Sequence, residues 1–484
     1  MTQQEILRTF GLSSHQLALS NGTQIEIESL VRVVPGKRIV CRAQWCGQEV
    51  YAKLFFGHNA QRYCQRDKKG VDYLVQSNIP TPPLLFEGEL SSFDVPVLIF
   101  AAIQSSDNAE VVWLSSSNSQ RFAIALRLMK EVARHHAAGL LQTDLYLKNF
   151  LVSGELIYTL DGDGVRYYST LSKQKAYANL ATLLSKFDVL EIRDWLPDLL
   201  SAYAASSRWQ ERPDLNRTLK WINLKRKQAA IDYADKKVFR KCTDVEIQYS
   251  DGYFQAWATQ NPIEHSTITA KTLDSLIDTQ VRLKSGNTCT VTLASIQGVE
   301  CVIKRYNIKG FWHRIERALR QTRAATSWSN AHRLTLLGIN TPKPIALIEN
   351  RHWGFRGKAY FISEYLDAPD AAVFFSNEPD QSSIDDAVRH VVLLFYRMYL
   401  LKISHGDMKA TNLKLFKGVP WLIDLDSMRQ HHCDNFALKA HVKDLKRFMK
   451  NWQDAPSLYN AFIQAFYAVY EDSSPLRLAG LSKN

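Results

Sequence analysis

One pattern of charged and amide residues occurs twice in this 484-residue chain with the same internal spacing. The second copy reads HGDMKATN at 405–412 and continues to WLIDLD at 421–426. The first copy reads QTDLYLKN at 142–149 and continues to YTLDGD at 158–163. In both copies an Asp precedes an Asn by five residues, and a second Asp follows that Asn after twelve. A repeat period of about 250–260 residues has the size of a domain, so we expect two domains of one design.

The spacing is typical of phosphoryl transfer, which uses a carboxylate at the attacking hydroxyl and an amide and a carboxylate at the metal ion. In the second copy, Asp407 is predicted to orient or deprotonate the hydroxyl. Asn412 and Asp424 are predicted to hold the metal beside the nucleotide phosphates. We expect His405 to orient the loop through hydrogen bonds and Gly406 to let the backbone turn.

The first copy retains the acids and the amide but lacks the His-Gly pair. Asp144 is its predicted catalytic residue, and Asn149 and Asp161 are its predicted metal and nucleotide ligands. Gln142 and Thr143 stand in place of the histidine and glycine. Because glutamine also forms hydrogen bonds, the loop is expected to be held in this copy too.

Each copy places a lysine on an apolar strand upstream of its loop. Lys53 lies in the predicted strand Glu49–Phe55, and Lys304 lies in Val299–Tyr306. A cation among apolar residues is costly unless a phosphate or carboxylate meets it, so both lysines are predicted to contact nucleotide phosphates. The loop before Lys53 also offers Lys37 and Arg38 for contact with phosphate.

Kinases pair the strand lysine with an acid on the next helix. Aligning the copies on the turns IPTP at 79–82 and INTP at 339–342 places Asp67 opposite Ser327. Asp67 is a candidate partner of Lys53. Ser327 forms no ion pair, so either Glu316 serves the second copy or that copy manages without one.

Other elements repeat in the same order. Apolar strands are predicted at Val95–Phe100 and Ala359–Tyr365, and three- and four-residue spacing predicts helices through Phe122–His136 and Ile384–Met398. The predicted fold class is α+β, with two tandem bilobal protein-kinase-like domains, each a strand-rich lobe followed by a helical lobe. The predicted domains are 1–240 and 241–484.

Composition narrows the setting. The formal charge of +12 implies attraction to an anionic partner, and seven scattered cysteines without a CxxC pair favour a reducing compartment. The N-terminus lacks a signal-peptide pattern, so a cytoplasmic protein is predicted. The basic stretch Lys220–Lys241 is either a solvated helix face or a contact surface for phosphates or anionic lipid.

These motifs resemble the bacterial lipopolysaccharide core kinases, the heptose and Kdo kinases, which are relatives of protein kinases. The resemblance is carried by both catalytic loops and by the stretches VIKRY at 302–306, SWSNAHRL at 327–334 and GINTPKP at 338–344. It implies ATP and Mg²⁺ as donor and cofactor and a heptose or Kdo hydroxyl of the lipopolysaccharide inner core as acceptor. It also implies peripheral contact with the cytoplasmic face of the inner membrane.

Two alternatives stay open. One is a protein or other small-molecule kinase, although only about 20 residues separate Asp424 from Asp444, which is too short for a long activation segment. The other is a pseudokinase scaffold that transfers nothing. Nucleic-acid binding is not expected, because the basic residues are not interleaved with aromatics on a recognisable module.

Overall fold

The chain divides into two compact units that both combine sheet and helix. The structure is a computed structural model, and it describes residues 3–9, 15–91, 93–250, 252–261, 263–264, 268–285, 289–307, 321–352, 355–377 and 379–482. The units are Met1–Arg226 and Lys227–Asn484. Both contain β-strands and α-helices, so the predicted α+β class is confirmed.

The first unit begins with an antiparallel sheet in the order β1–β2–β3–β4–β6–β5. Its strands are β1 (His15–Ala18), β2 (Gln24–Val34), β3 (Arg38–Trp45), β4 (Gln48–Phe55), β5 (Leu84–Leu90) and β6 (Phe93–Ala101). Successive side chains of a strand point to opposite faces. On β4 the core face therefore carries Val50, Ala52 and Leu54, and Lys53 lies on the other face.

The rest of the first unit is mainly helical, with short strands around the catalytic loop. Its helices are α1 (Gln3–Thr9), α2 (Ala60–Gln76), α3 (Ala109–Ser115), α4 (Asn118–Ala137), α5 (Lys173–Leu184), α6 (Val189–Ser206) and α7 (Leu215–Ala230). Its short strands are β7 (Asp107–Asn108), β8 (Leu140–Gln142), β9 (Phe150–Ser153), β10 (Leu156–Thr159) and β11 (Val165–Tyr167). The capping box at Ser117 and Gln120 fixes the start of α4.

The second unit has a sheet in the order β12–β13–β17–β18–β16–β15–β14. Its strands are β12 (Val245–Ser250), β13 (Tyr253–Ala258), β14 (Val281–Ser285), β15 (Cys289–Ile296), β16 (Val299–Tyr306), β17 (Pro344–His352) and β18 (Phe355–Glu364). Cys301 and Ile303 are buried on one face of β16, and Lys304 lies on the other. Both strand lysines therefore lie on the opposite face of their strand from these core residues.

Of the described helices of the second unit, two lie between its sheet strands and the others after them. The helices of the second unit are α8 (Ala270–Thr279), α9 (Arg323–Leu336), α10 (Ala371–Ser376), α11 (Gln381–Leu400), α12 (Asp434–Met449), α13 (Pro456–Val469) and α14 (Ser474–Leu478). Short strands surround its catalytic loop as β19 (Ile403–Ser404), β20 (Leu413–Phe416), β21 (Val419–Leu422) and β22 (Arg429–Gln430). The predicted strands correspond to β4, β6, β16 and β18, and the predicted helices to α4 and α11.

The division between the units falls within α7, whereas the predicted boundary followed residue 240. The difference arises because residues after α7 pack within the second unit. The Trp328 indole donates a hydrogen bond to the Val238 carbonyl at 3.1 Å. Arg333 of α9 forms an ion pair with Asp235. The division therefore cuts the predicted basic stretch Lys220–Lys241, and the larger part, from Lys227 onward, belongs to the second unit.

A membrane-spanning helix needs about 20 consecutive, mainly apolar residues. No helix among the described residues is long and apolar enough to cross a bilayer.

Candidate active site

The second catalytic loop is built around Asp407. A short 3₁₀ turn, Ala410–Asn412, closes the loop. The Asn412 amide nitrogen donates to the Asp407 carbonyl at 2.9 Å and to its carboxylate at 3.2 Å. Arg447 forms an ion pair with the same carboxylate, and the Lys409 ammonium lies 3.7 Å from it. The predicted Asp407 and Asn412 are thus in direct contact.

His405 holds this loop against the strand that leads to Asp424. Its Nε2 lies 2.9 Å from the Ile423 carbonyl, and burial lowers the pKa of the imidazole. A neutral ring bonded to a carbonyl through Nε2 carries its proton there and donates it. The orienting hydrogen bond predicted for His405 is therefore present.

Asp444 is a site residue that the sequence did not reveal. From α12, its carboxylate accepts the backbone N–H groups of His405 at 2.7 Å and Gly406 at 3.0 Å. Burial raises the pKa of Asp444 to about 6 although these hydrogen bonds favour the ionised form. The carboxylate fixes the backbone immediately before Asp407. An Asp at an apolar-facing position in the second half of the helix after the catalytic loop is the signal that could have indicated it.

Asp424 follows β21 by two residues and has a left-handed conformation, with φ of 63°. The Lys304 ammonium lies 3.1 Å from its carboxylate. Burial raises the pKa of Asp424, but the Lys304 charge outweighs burial, and the net pKa is lowered. The Asp424 carboxylate is therefore ionised at neutral pH.

Asn412 and Asp424 are brought together by the backbone. The Ile423 N–H donates to the Asn412 carbonyl at 3.1 Å, so the residue before Asp424 is bonded to Asn412 itself. Carboxylate and amide oxygens are the ligands that Mg²⁺ prefers, usually with phosphates and waters completing the shell. The described residues form no cluster of three or more His, Cys, Asp or Glu suited to a metal. This pair therefore fits a magnesium ion held jointly with substrate phosphates.

The first copy has the same loop framework with different side chains. The Asn149 amide donates to the Asp144 carbonyl at 2.7 Å, and the Leu160 N–H donates to the Asn149 carbonyl at 2.8 Å. Gln142 donates to the Leu160 carbonyl at 2.9 Å. Leu160 precedes Asp161 as Ile423 precedes Asp424, so Gln142 makes the hydrogen bond that His405 makes in the second copy. The prediction that glutamine would hold the loop is confirmed.

The lysine–acid pair predicted for the first copy is also present. The Lys53 ammonium lies 2.7 Å from the carboxylate of Asp67, which is fully buried on α2. In the second copy, the Ser327 hydroxyl lies 3.2 Å from the Tyr306 hydroxyl. The ion pair of Lys304 is formed with Asp424 instead. Glu316, the other predicted candidate, lies outside the described residues.

Asp161 differs from Asp424 in its cation partners. Arg38 donates to both carboxylate oxygens of Asp161, at 3.1 and 3.0 Å, and the Lys53 ammonium lies 3.6 Å away. Burial raises the pKa of Asp161, but the two cations outweigh it and lower the net pKa. Arg38, predicted for contact with phosphate, is thus engaged by the residue predicted to bind metal.

The IxTP turns anchor the strands that precede Asp161 and Asp424. The Thr81 hydroxyl donates to the Thr159 carbonyl at 2.9 Å, and the Thr341 hydroxyl donates to the Leu422 carbonyl at 2.8 Å. The strand residues return the contact through backbone N–H groups, which donate to Pro80 and Asn340. The repeated turn therefore sets the position of the site in both copies.

Comparison with known proteins places the second copy in context. Residues 277–470 match the family model described as the lipopolysaccharide kinase (Kdo/WaaP) family. The match confirms the resemblance predicted from the motifs and supports a phosphotransferase with an alcohol group as acceptor. It contains Lys304, Asp407, Asn412 and Asp424.

Two further comparisons add no functional argument. The solved structure titled "Structure of vaccinia related kinase 3" is 14% identical, covers 49% of this chain and 78% of that chain, and has a TM-score of 0.26. No curated protein matches the chain.

Proposed function

We propose that the second unit transfers the γ-phosphoryl group of ATP to a heptose or Kdo hydroxyl of the lipopolysaccharide inner core. The observation that carries the proposal is the contact set of Lys304, Asp407, Asn412 and Asp424, which lies within the segment that matches the lipopolysaccharide kinase family. The acceptor class comes from the family match. The family description does not choose between heptose and Kdo, so the proposal includes both sugars as acceptors.

Each side chain has a role that follows from its contacts. Asp407 accepts the proton of the attacking hydroxyl as the new O–P bond forms and the bond to the ADP oxygen breaks. Asn412 holds the loop and, with Asp424, offers oxygen ligands to Mg²⁺. Bound Mg²⁺ would neutralise charge on the phosphates. Lys304 binds a phosphate oxygen, and it is already aimed toward Asp424.

Lys409 is an additional candidate for phosphate contact. It follows Asp407 by two residues, and its ammonium lies 3.7 Å from that carboxylate. The first copy carries Tyr146 at this position. In the first copy Lys148 and Lys186 lie over the Tyr146 ring instead.

The proposal extends to the organisation of the chain. We assign both units to the bilobal kinase-like fold, because the IxTP turn, the strand lysine and the Asp–Asn–Asp framework recur with matching hydrogen bonds. Asp144, Asn149, Asp161 and Lys53 are the counterparts of the second site. Only a short segment separates Asp424 from α12, which begins at Asp434. The shortness of this segment favours a glycan acceptor over a protein. The basic charge is suited to an anionic glycolipid at the inner membrane surface.

The test is phosphate transfer by the purified full chain from γ-labelled ATP with Mg²⁺. Lipopolysaccharide with an enzymatically dephosphorylated inner core is the acceptor, and a generic protein substrate is the comparison. Transfer to the glycolipid is expected, and Asp407→Asn should lower its rate by roughly 10²–10⁴-fold. Transfer to protein alone, or unchanged glycolipid transfer by the variant, would contradict the proposal.

A further inference from the structure

Two cations and two carboxylates form a closed cluster in the first unit. Lys53 bonds Asp67 at 2.7 Å, and Arg38 bonds Asp161 through both of its carboxylate oxygens. Arg38 also lies 3.4 Å from Asp67, so the guanidinium bridges the two acids. The exposed fractions of these side chains range from 0 to 17%, so water screens the cluster weakly.

The second unit has no cation at the position of Arg38. Strand register gives the correspondence, because Val40 pairs with Lys53 on the neighbouring strand as Val291 pairs with Lys304. Two residues earlier on the same strands stand Arg38 and Cys289. Asp424 therefore has Lys304 as its ion-pair partner among the described residues, whereas Asp161 has Arg38 as well.

This arrangement does not fit a divalent cation at Asp161. Mg²⁺ requires a near-octahedral shell of oxygen ligands, and each carboxylate oxygen of Asp161 already accepts a hydrogen bond from the Arg38 guanidinium. A metal ion there would also face the charges of Arg38 and Lys53 at short range. The metal predicted for Asp161 and Asn149 is therefore not supported by the side chains around it.

We propose that Arg38 takes the place of the divalent cation, and that the first unit binds a nucleoside triphosphate without Mg²⁺ and does not transfer its phosphate. The proposal rests on the kinase-like assignment of this unit. A guanidinium is permanently charged and presents paired N–H donors that match phosphate oxygens. Lys37 is exposed beside Arg38 at the same strand end, and Arg32 is near enough to lower the pKa of Asp161. Asp163 is paired with Arg66. Arg32, Lys37, Arg38 and Lys53 therefore outnumber Asp67 and Asp161, and a phosphate chain meets net positive charge without metal.

The test uses the full chain with Asp424→Asn, which removes the proposed metal ligand of the second unit and leaves the first unit unaltered. ATP binding is measured by calorimetry in excess chelator and again in Mg²⁺. Bound Mn²⁺ is counted by electron paramagnetic resonance at saturating nucleotide. We expect one ATP per chain in chelator, a similar affinity in Mg²⁺, and no Mn²⁺ bound with it. Binding that requires Mg²⁺, Mn²⁺ bound with the nucleotide, or no binding in chelator would each overturn the proposal.

Arg38→Cys, combined with Asp424→Asn, replaces Arg38 by the residue type that the second unit has at the same position, Cys289. It should weaken ATP binding in chelator about tenfold or more, because a bidentate charged contact is lost. Mg²⁺ should restore binding, since Asp161 is freed. Arg42→Cys is the matched control, because Arg42 lies on the same strand, is half-exposed and pairs with Glu28 and Glu49. Equal loss in both variants would contradict the role of Arg38.

Failure of this inference is distinguishable from failure of the proposed function. Phosphate transfer to lipopolysaccharide by the unmodified chain depends on Asp407 and is measured separately. Metal-dependent ATP binding at the first unit would leave that transfer intact. Loss of transfer would leave metal-free binding at the first unit intact.

Discussion

Lys53 and Lys304 occupy the same strand position yet meet different acids. Lys53 pairs with Asp67 of α2, and Lys304 pairs with Asp424. Alignment on the IxTP turn predicts the first pair because it places an acid on the helix. It does not predict the second pair. Ser327 carries no charge, and Lys304 pairs instead with Asp424, which lies 120 residues further along the chain. Residue-level partners are thus predictable where a local acid exists.

Asp444 gives a pH-dependent prediction at the residue scale. It is a positioning residue, since it acts on Asp407 through the backbone N–H groups of His405 and Gly406 that it accepts. Burial raises its pKa to about 6, so at lower pH the carboxyl protonates and loses one acceptor. We expect kcat of the unmodified chain to fall as pH drops through about 6, as measured by phosphate transfer from pH 5 to 8.

Asp444→Asn is the diagnostic variant. Its amide offers one oxygen and an NH₂ that opposes a backbone donor, so kcat should fall roughly tenfold to hundredfold through misplacement of the loop. The decline near pH 6 should vanish, because the titrating group is gone. The folding stability of the unmodified chain depends on pH in the opposite direction to kcat. A pKa raised above its ordinary value of 3.8 destabilises the fold as pH rises from about 4 to 6. An unchanged acid limb in the variant would rule out Asp444 as its source.

At the scale of elements, the turn before Asp407 depends on one glycine. Gly406 has φ of 80°, and a Cβ there would meet the Ser427 carbonyl oxygen at 2.8 Å. Gly406→Ala should cost about 1 kcal/mol for the left-handed backbone and about 1–3 kcal/mol more for the contact. The midpoint temperature of thermal unfolding and kcat should therefore both be lower than in the unmodified chain.

Gly418→Ala is the matched control for this prediction. Gly418 has φ of 73° with open space around its Cβ position, so the substitution carries the backbone cost alone. It should leave kcat close to that of the unmodified chain. Equal effects of the two substitutions would show that contact with Ser427 does not matter.

The IxTP turn is a second element whose side chain is testable. Thr341→Val keeps the shape and removes the 2.8 Å hydrogen bond to the Leu422 carbonyl. The expected loss of unfolding free energy is about 1–3 kcal/mol, because the group is buried. Denaturant unfolding checks it. Thr335→Val, whose hydroxyl donates to Ala331 within its own exposed helical turn, should change stability by less than about 0.5 kcal/mol.

At the scale of the whole molecule, the repeated Asp–Asn–Asp spacing was the sequence feature that best predicted the structure. The spacing of Asp407, Asn412 and Asp424 predicted which side chains converge, because catalytic loops need fixed intervals along the chain. The unit boundary was less predictable. It depends on where residues after α7 pack, through Trp328 and Asp235, and no local pattern encodes that.

The engagement of Arg38 with Asp161 was likewise beyond sequence reasoning. A basic residue before a strand is suited equally to phosphate contact and to an internal ion pair. Only the register of β3 and β4 and the approach of Asp161 decide between these roles. The two copies therefore share a framework but differ in the charge of the site, which is why we assign transfer to the second.

The most direct measurement maps the phosphates of the lipopolysaccharide core by mass spectrometry. It uses cells in which this chain is the only source of the activity. Asp407→Asn and Asp144→Asn are compared with the unmodified chain at matched protein levels. The account predicts that a core phosphate is lost in Asp407→Asn and kept in Asp144→Asn. A full phosphate pattern in Asp407→Asn, or loss of the phosphate in Asp144→Asn alone, would contradict it.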